Sequence, residues 1–250
     1  MWLVLCAPED DSALWACDRL RDRGLAPVEL VDPESLTRAT RSAHRVGDGR
    51  ARFEIGLPDG RTLVSDDIDG VLNRLCYTPL GHLVFASPDD SLYAREELSA
   101  LVLSWLECLA PVMINRPSPR GLCGAWRSAA EWTVLAARAG LPVSPLPLSS
   151  ELGAQPHPEA SPVPPTAPGA RSVVVLGEHV FGREPVDGLA PACGRLARLA
   201  DADLLGIDLE PDDRDRPRFA GATPLPDLRI GGGALVERLH EHLSRMPGSR

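Results

Sequence analysis

The chain opens with WLVLC at residues 2–6, continues with DDS at residues 10–12, and reaches VELV at residues 28–31. The two short apolar runs are typical of buried strands, and the residues between them are typical N-caps of a helix. Gly24 is placed to end that helix. A strand, a helix and a second strand in this order predict the start of a parallel, Rossmann-like sheet. The turn after the first run has no GxGxxG pattern, so dinucleotide binding is not indicated.

The next elements support a mixed α/β chain. Two segments of alternating polar and apolar residues, 51–57 and 61–64, flank Pro58-Asp59-Gly60 and predict a hairpin. Residues 87–109 begin with serine, proline and two aspartates, and their apolar residues then recur at helical spacing. A shorter helix is predicted to end at Gly140.

A proline-rich segment divides the chain in two. Eight of the 27 residues in 144–170 are proline, and the segment has no apolar periodicity. This composition predicts a semi-rigid linker. We therefore expect an α/β domain over residues 1–143 and a smaller α+β lobe over residues 171–250.

The net charge of the chain and the spacing of its cysteines limit the kinds of partner and the cellular compartment that we expect. The net charge of −9 argues against nucleic-acid and anionic-membrane binding, and no stretch is apolar for long enough to cross a bilayer. The six cysteines include no CxxC pair, so neither a zinc ribbon nor a thioredoxin-like site is indicated. A reducing cytoplasm fits this cysteine usage best. All 26 basic residues are arginine, and none is lysine.

Several short motifs, taken in order, resemble the ATP-grasp ligases, in particular those that mature ribosomally made peptides. The motifs are DGVLNR at 69–74, YAREE at 93–97, INRP at 114–117, the segment 126–143, VVVLGEHVFG at 173–182, LLGID at 204–208 and the stretch 219–228. The resemblance implies a Rossmann-like pre-ATP-grasp N-terminal domain, followed here by a truncated α+β ATP-grasp-like lobe.

The chain departs from the pattern of this family at the nucleotide site. The proline-rich linker stands where the family has a small lobe that contributes lysines. Gly221 and Thr223 stand where the family has a glutamate and an asparagine that hold magnesium, which leaves Asp208 as the one matching metal ligand. Arg127 stands where the family often has a lysine. Magnesium and phosphoryl transfer both need more oxygen ligands and charge than this set supplies, so the resemblance implies a degenerate relative with no catalytic residues and no cofactor.

Four polar residues follow predicted strands and form a candidate crevice for a ligand or partner. They are Asn73, Arg74, Arg116 and Arg120, to which we add Arg127 at the start of the next helix. Open α/β sheets bind ligands at the carboxyl ends of their strands. Ion pairing within the layer is the alternative interpretation of the same residues.

Two weaker patterns favour structural interpretations. Gly231-Gly232-Gly233 precedes the last helix, and backbone amides there could hold an anion, but a flexible entry turn is the favoured interpretation. Cys76 with His82, or Cys123 with a distant histidine, would be required for a thiol nucleophile. Buried, unreactive thiols are the better prediction.

These observations leave two hypotheses and a third possibility, a homodimer whose two chains complete one site. The first hypothesis is a non-catalytic accessory protein that pairs with a full-length ATP-grasp ligase or presents a peptide substrate to one. The second is a minimal or repurposed carboxylate–amine ligase that uses ATP and magnesium, with Asp208 as a vestigial metal ligand. The residues that the family has at its nucleotide site and that this chain lacks favour the first hypothesis.

Overall fold

The computed structural model of the protein describes residues 1–47, 50–79, 83–84, 87–145, 171–183, 186 and 188–246. By its internal contacts the chain divides into two compact units, Met1–Ala125 with Val236–Arg250, and Trp126–Leu235. This division falls at residue 125, whereas the sequence places a domain boundary at 143, and it assigns most of the last helix to the first unit. From residue 146 onward the predicted linker lies outside the described residues.

The first unit contains a parallel sheet and a small antiparallel sheet. Its elements are, in chain order, β1 (Trp2–Leu5), α1 (Asp11–Asp22), β2 (Val28–Val31), α2 (Pro33–Thr37), β3 (Arg41–Gly47), β4 (Arg50–Gly56), β5 (Thr62–Val64), β6 (Gly70–Asn73), α3 (Pro88–Cys108) and β7 (Met113–Ile114). The parallel sheet has the order β2-β1-β6-β7, so the carboxyl ends of all four strands lie at one edge. The chain changes direction across the sheet between β1 and β6, the kind of position where such sheets bind ligands.

Helix α3 covers the apolar faces of this unit with its carboxyl-terminal half. Trp105 and Leu106 are buried with Val71 of the parallel sheet and with Phe53 and Ile55 of the antiparallel one. Burial of this kind stabilises each large side chain by about 1.5–3 kcal/mol. The amino-terminal half of α3 is largely exposed. Even this longest helix does not qualify as a membrane span, and neither does any other described helix.

The antiparallel sheet has the order β3-β4-β5. The predicted hairpin, whose turn is Pro58-Asp59-Gly60, corresponds to β4 and β5. Strand β3, which sequence analysis did not predict, adds to the outer side of β4. None of its residues is buried and both faces carry polar side chains, which removes the alternation by which strands are identified.

The second unit consists of an antiparallel sheet and two covering helices. Its elements are α4 (Ala129–Ala139), β8 (Arg171–Leu176), β9 (His179–Gly182), α5 (Ala190–Leu199), β10 (Leu204–Pro211) and β11 (Pro217–Thr223), and α6 (Gly232–Ser244) begins at its end. The strand order is β11-β10-β8-β9. Trp132 and Ala136 of α4 pack with Cys193 and Leu196 of α5 and with Ile207 of the sheet, which explains why α4 groups with this unit.

Candidate functional site

Arg74 follows β6 at the carboxyl edge of the parallel sheet and is almost completely buried. Its Nε donates to Asp10 Oδ2 at 2.6 Å, and its Nη2 donates to Asp10 Oδ1 and to Ser12 Oγ, each at 3.2 Å. Asp10 also caps α1 by accepting from the Ala13 amide. Burial by itself raises the pKa of Asp10, but hydrogen bonding and the charge of Arg74 outweigh it and hold that pKa below its ordinary value. Ion pairing within the layer, the alternative interpretation, therefore describes Arg74.

Asn73, the residue before Arg74, has a side chain that stabilises the fold. The side chain is fully buried, and its Nδ2 donates to the carbonyl oxygens of Asn115, at 2.9 Å, and Leu122, at 2.7 Å. Its Oδ1 accepts from the Leu75 amide, so both ends of the side-chain amide are hydrogen-bonded within the first unit. Asn115 itself has a φ of 58°, a left-handed conformation that asparagine tolerates. Asn73 thus holds the loop after β7 against β6.

Arg116 and Arg120 lie on that loop and are exposed. The loop is closed by the pair of backbone hydrogen bonds between Ser118 and Gly121, and the Arg116 carbonyl accepts from the Gly124 amide. Asn73, Arg74 and this loop therefore share one edge of the first unit, and of the four predicted crevice residues only Arg116 and Arg120 present their side chains to solvent.

Arg127 belongs to the second unit, where its contacts are structural. Its Nη2 donates to the carbonyl oxygen of Ala200, which caps the carboxyl end of α5, at 2.7 Å. Its guanidinium carbon lies 5.2 Å from the centroid of the Trp132 ring. A cation at this end of a helix and over an indole ring stabilises both elements.

Asp208 lies on β10 with strands on both sides. The register places Ser172 of β8 and Gly221 of β11 beside it, so the three residues share one face of the sheet. The hydroxyl group of Ser172 donates to Asp208 Oδ1. Two residues along the same face, Thr223 lies opposite Gly206, where a Cβ would come within 3.1 Å of Thr223 Cγ2.

The donor set on this face does not fit a magnesium–nucleotide site. Magnesium requires near-octahedral oxygen ligands, usually from carboxylates and phosphates. Asp208 supplies one carboxylate, Gly221 supplies no side chain, and Glu210 further along β10 is bonded to Arg218 at 2.9 Å. Within the described ranges no three His, Cys, Asp or Glu side chains cluster so as to hold an ion.

The glycines around the start of α6 have steric roles. A Cβ on Gly231 would lie 2.5 Å from Leu235 Cβ, a distance that side chains do not reach. Gly232 has a φ of +57° with a ψ of −151°, a region that is open essentially only to glycine. Two of the three glycines are thus required by the turn itself, whether or not an anion binds there.

The cysteines provide no activated nucleophile among the described residues. All six thiols are free. Burial raises the pKa of Cys123 to about 12, and its Sγ donates to the Asn73 carbonyl. Cys76 is exposed, but desolvation still raises the pKa of its thiol, and His82 lies outside the described residues. A low thiol pKa, the condition for a reactive cysteine, is absent from these two sites.

Sequence reasoning missed two residues that define these sites. Asp10 was identified as a helix cap, but its role as the partner of Arg74, 64 positions away, depends on strand order. Ser172 is the second residue of β8 and gives no signal in sequence. Since both contacts join distant segments, only the sheet topology reveals them.

Comparison with known proteins identifies the fold. No family model matches the sequence, and no curated protein matches it. Among solved structures, a RiPP-associated ATP-grasp ligase from Chryseobacterium gregarium, in complex with ADP and a leader and core peptide, superposes with a TM-score of 0.69 at 11% identity and covers 98% of this chain and 96% of that chain. The resemblance to ATP-grasp ligases drawn from the sequence motifs is thereby confirmed at the level of the fold.

Two further structures give the same result. The ATP-grasp ligase PsnB complexed with precursor peptide PsnA2 and AMPPNP has a TM-score of 0.67 at 17% identity, covering 100% of this chain and 97% of that chain. The macrocyclase MdnC from Microcystis aeruginosa MRC, bound with precursor peptide MdnA, has a TM-score of 0.66 at 11% identity, covering 97% and 98%. The mixed α/β fold of this chain is therefore the one that these ligase and macrocyclase structures share.

Proposed function

We propose that this chain is a non-catalytic relative of the ATP-grasp ligases that acts in a peptide biosynthetic pathway by binding a protein or peptide partner. The observation that carries the proposal is the neighbourhood of Asp208. A carboxylate with Gly221 on one side and Ser172 on the other cannot assemble the ligand shell of a metal–nucleotide complex. The absence of lysine from the sequence supports the same conclusion, since phosphoryl transfer depends on charge placed around the phosphates.

The domain assignment forms part of this proposal. Residues 1–143 correspond to a pre-ATP-grasp-type domain, and residues 171–250 correspond to a remnant of the ATP-grasp lobe. The partner is a full-length ligase of the same fold, a precursor peptide, or a second copy of the chain. The solved structures that share the fold include complexes with precursor peptides, which supports a peptide as partner. We place the protein in the cytoplasm, consistent with its six free thiols.

Isothermal titration tests the proposal directly. We expect no heat of binding when ATP with magnesium is titrated into the full chain. We expect binding when a full-length ligase of this fold or its precursor peptide is titrated instead. Micromolar affinity for ATP would contradict the proposal.

The alternative function is a minimal or repurposed ATP-dependent ligase. One observation favours it: the fold match extends over 96% or more of the solved ligases. It predicts ATP turnover that is lost in Asp208→Asn and retained in Asp213→Asn, a matched change in the exposed turn before β11. Equal ATP turnover in the two variants, or none in the native chain, would exclude a role for Asp208 and with it this alternative.

A further inference from the structure

The outer edge of β3 has backbone groups that no described strand occupies. Strand β3 pairs with β4 alone, in the order β3-β4-β5, and so forms one edge of that sheet. An edge strand presents a row of amide and carbonyl groups that can pair with another extended segment. Seven residues, Arg41–Gly47, form this edge.

The hydrogen-bond pattern shows which backbone groups point outward. The Phe53 amide of β4 donates to Ser65 Oγ, on the side of β4 away from β3. Phe53 is the partner of His44, so this is a pair whose backbone groups point away from each other. Because the pattern alternates, the amide and carbonyl groups of Ser42, His44 and Val46 are directed to the free edge.

The side chains of β3 divide between two faces. The side chain of His44 lies on the face of β3 that packs against α3. Its Nδ1 is 3.3 Å from Ser104 Oγ, and its Nε2 is 3.5 Å from Cys108 Sγ. These contacts anchor the strand on the helix. Arg41 and Arg45 lie on the opposite, exposed face.

The charge of this edge is opposite to that of the whole chain. The net charge of the chain is −9, yet residues 38–52 contain five arginines and one acid, namely Arg38, Arg41, Arg45, Arg50, Arg52 and Asp48. Arg41 is paired with Glu54, and Arg52 with Asp66, each at 3.2 Å. Arg45 forms no ion pair with any described residue, and its cross-strand neighbour is the like-charged Arg52. Like charges directly opposite each other destabilise a ladder, so a carboxylate on the free side of Arg45 would relieve the repulsion.

We propose that β3 is a docking strand for an acidic, extended segment of a partner polypeptide, which adds to the sheet as a fourth strand with its carboxylates beside Arg45. Main-chain hydrogen bonds to Ser42, His44 and Val46 supply the affinity in this mode of recognition, and side-chain charge supplies the selectivity. A second copy of the chain is a poor occupant, because it would bring its own Arg41 and Arg45 to an edge that is already positive. The proposal rests on the edge itself and does not require that the chain lack catalytic activity.

A labelled peptide tests the proposal without nucleotide, so its failure leaves the proposed function untouched. The probe is a fluorescein-labelled peptide of alternating glutamate and valine with the seven-residue length of β3, and binding to the full chain is followed by fluorescence anisotropy. Two control peptides separate the contributions. One carries lysine in place of glutamate, and the other is N-methylated on alternate residues, which prevents strand pairing at unchanged charge. We expect the acidic peptide to bind and both controls to bind at least about tenfold more weakly.

Matched protein variants locate the site. Val46→Pro removes an outward amide donor without removing a bond between β3 and β4, whereas Val46→Ala keeps the donor. Arg45→Glu reverses the charge, and Arg45→Gln only removes it. We expect Val46→Pro and Arg45→Glu to weaken binding by about fivefold or more, Arg45→Gln by less, and Val46→Ala by less than about twofold. Circular dichroism checks that each variant is folded.

Three results would overturn the proposal. They are no detectable binding of the acidic peptide, equal binding of the N-methylated peptide, and equal effects of Val46→Pro and Val46→Ala. Sedimentation velocity could give a fourth result that overturns the proposal. If the chain alone forms a dimer that Val46→Pro dissociates, the edge is occupied by a second copy and not by an acidic partner.

Discussion

Arg74 and Asp10 are joined by two hydrogen bonds, at 2.6 and 3.2 Å, and the arginine side chain is 4% exposed. The pair connects the carboxyl end of β6 to the amino terminus of α1 beside β1, at the centre of the parallel sheet. A buried cation that loses its partner is costly, so we predict that Asp10→Asn lowers the free energy of unfolding by about 3–5 kcal/mol. Urea denaturation measures this value, and Asp11→Asn, one residue away and exposed, is the matched control.

The double variant Asp10→Asn with Arg74→Met gives a second check on the pair. Replacing both partners removes the buried charge, and we expect it to recover a large part of the lost stability. Equal stabilities of Asp10→Asn and Asp11→Asn would show that the pair contributes nothing.

The same pair predicts how stability changes with pH. The folded-state pKa of Asp10 is below its ordinary value. Its contribution to stability is therefore complete above the unfolded pKa, about 3.9, and is lost as pH falls through the lower folded value. We expect the difference in unfolding free energy between the native chain and Asp10→Asn to be constant from about pH 5 to 7 and to shrink below about pH 4. A difference that grows on acidification would contradict this assignment.

The elements that sequence analysis predicted correctly are those whose signal is local. Residues 2–31 carry an apolar strand, a capped helix and a second strand, and β1, α1 and β2 occur there. The helix signalled by Ser87 and Pro88 is α3, and Ser87 Oγ accepts from the Asp90 amide as an N-cap does. Capping, turn residues and apolar periodicity are fixed by neighbours in the chain, so they can be identified without the fold.

Features that depend on pairing between distant segments were not predictable. Strand β3 has no apolar alternation of its own, because its position is set by the ladder with β4 and by the contact of His44 with α3. Arg74 follows a strand, as the sequence predicted, but the sequence left its partner open. Asn73 was included in the candidate crevice, and its side chain donates to two carbonyl oxygens of the loop after β7. Fold position indicates where a polar residue lies and not what it binds.

The stability and the ATP binding of Arg127 variants distinguish the two proposed functions. Its side chain contacts the Ala200 carbonyl and the Trp132 ring, so we expect Arg127→Met to lower the free energy of unfolding by about 1–2 kcal/mol. Arg127→Lys keeps the charge but loses the planar guanidinium, and it should be intermediate. Arg214→Met, in an exposed turn, is the control and should be neutral. An Arg127→Met variant of native stability that binds ATP more weakly would instead support the ligase alternative.

The thiols should differ in reactivity in the order of their burial. Cys76 is exposed, whereas Cys6, Cys17, Cys123 and Cys193 are buried. Burial raises the pKa of the Cys6 and Cys193 thiols to about 11 and that of Cys123 to about 12, and it also raises the pKa of Cys17. Alkylation requires both access and the thiolate, so at pH 8 we expect iodoacetamide to modify Cys76 first and the four buried thiols only after unfolding.

Peptide mass mapping at successive times measures the order of modification, and Cys76→Ser should abolish its first phase. Cys108 is half-buried with its Sγ 3.5 Å from His44 Nε2, and it should follow Cys76 slowly because its thiol is less accessible. The Sγ of Cys123 donates to the Asn73 carbonyl at 3.0 Å. Modification of Cys123 in the native protein would therefore mean that the contact between Asn73 and the loop after β7 opens. In that case the carboxyl edge of the sheet would be accessible, and a ligand crevice at Asn73 and Arg74 would again be a valid hypothesis.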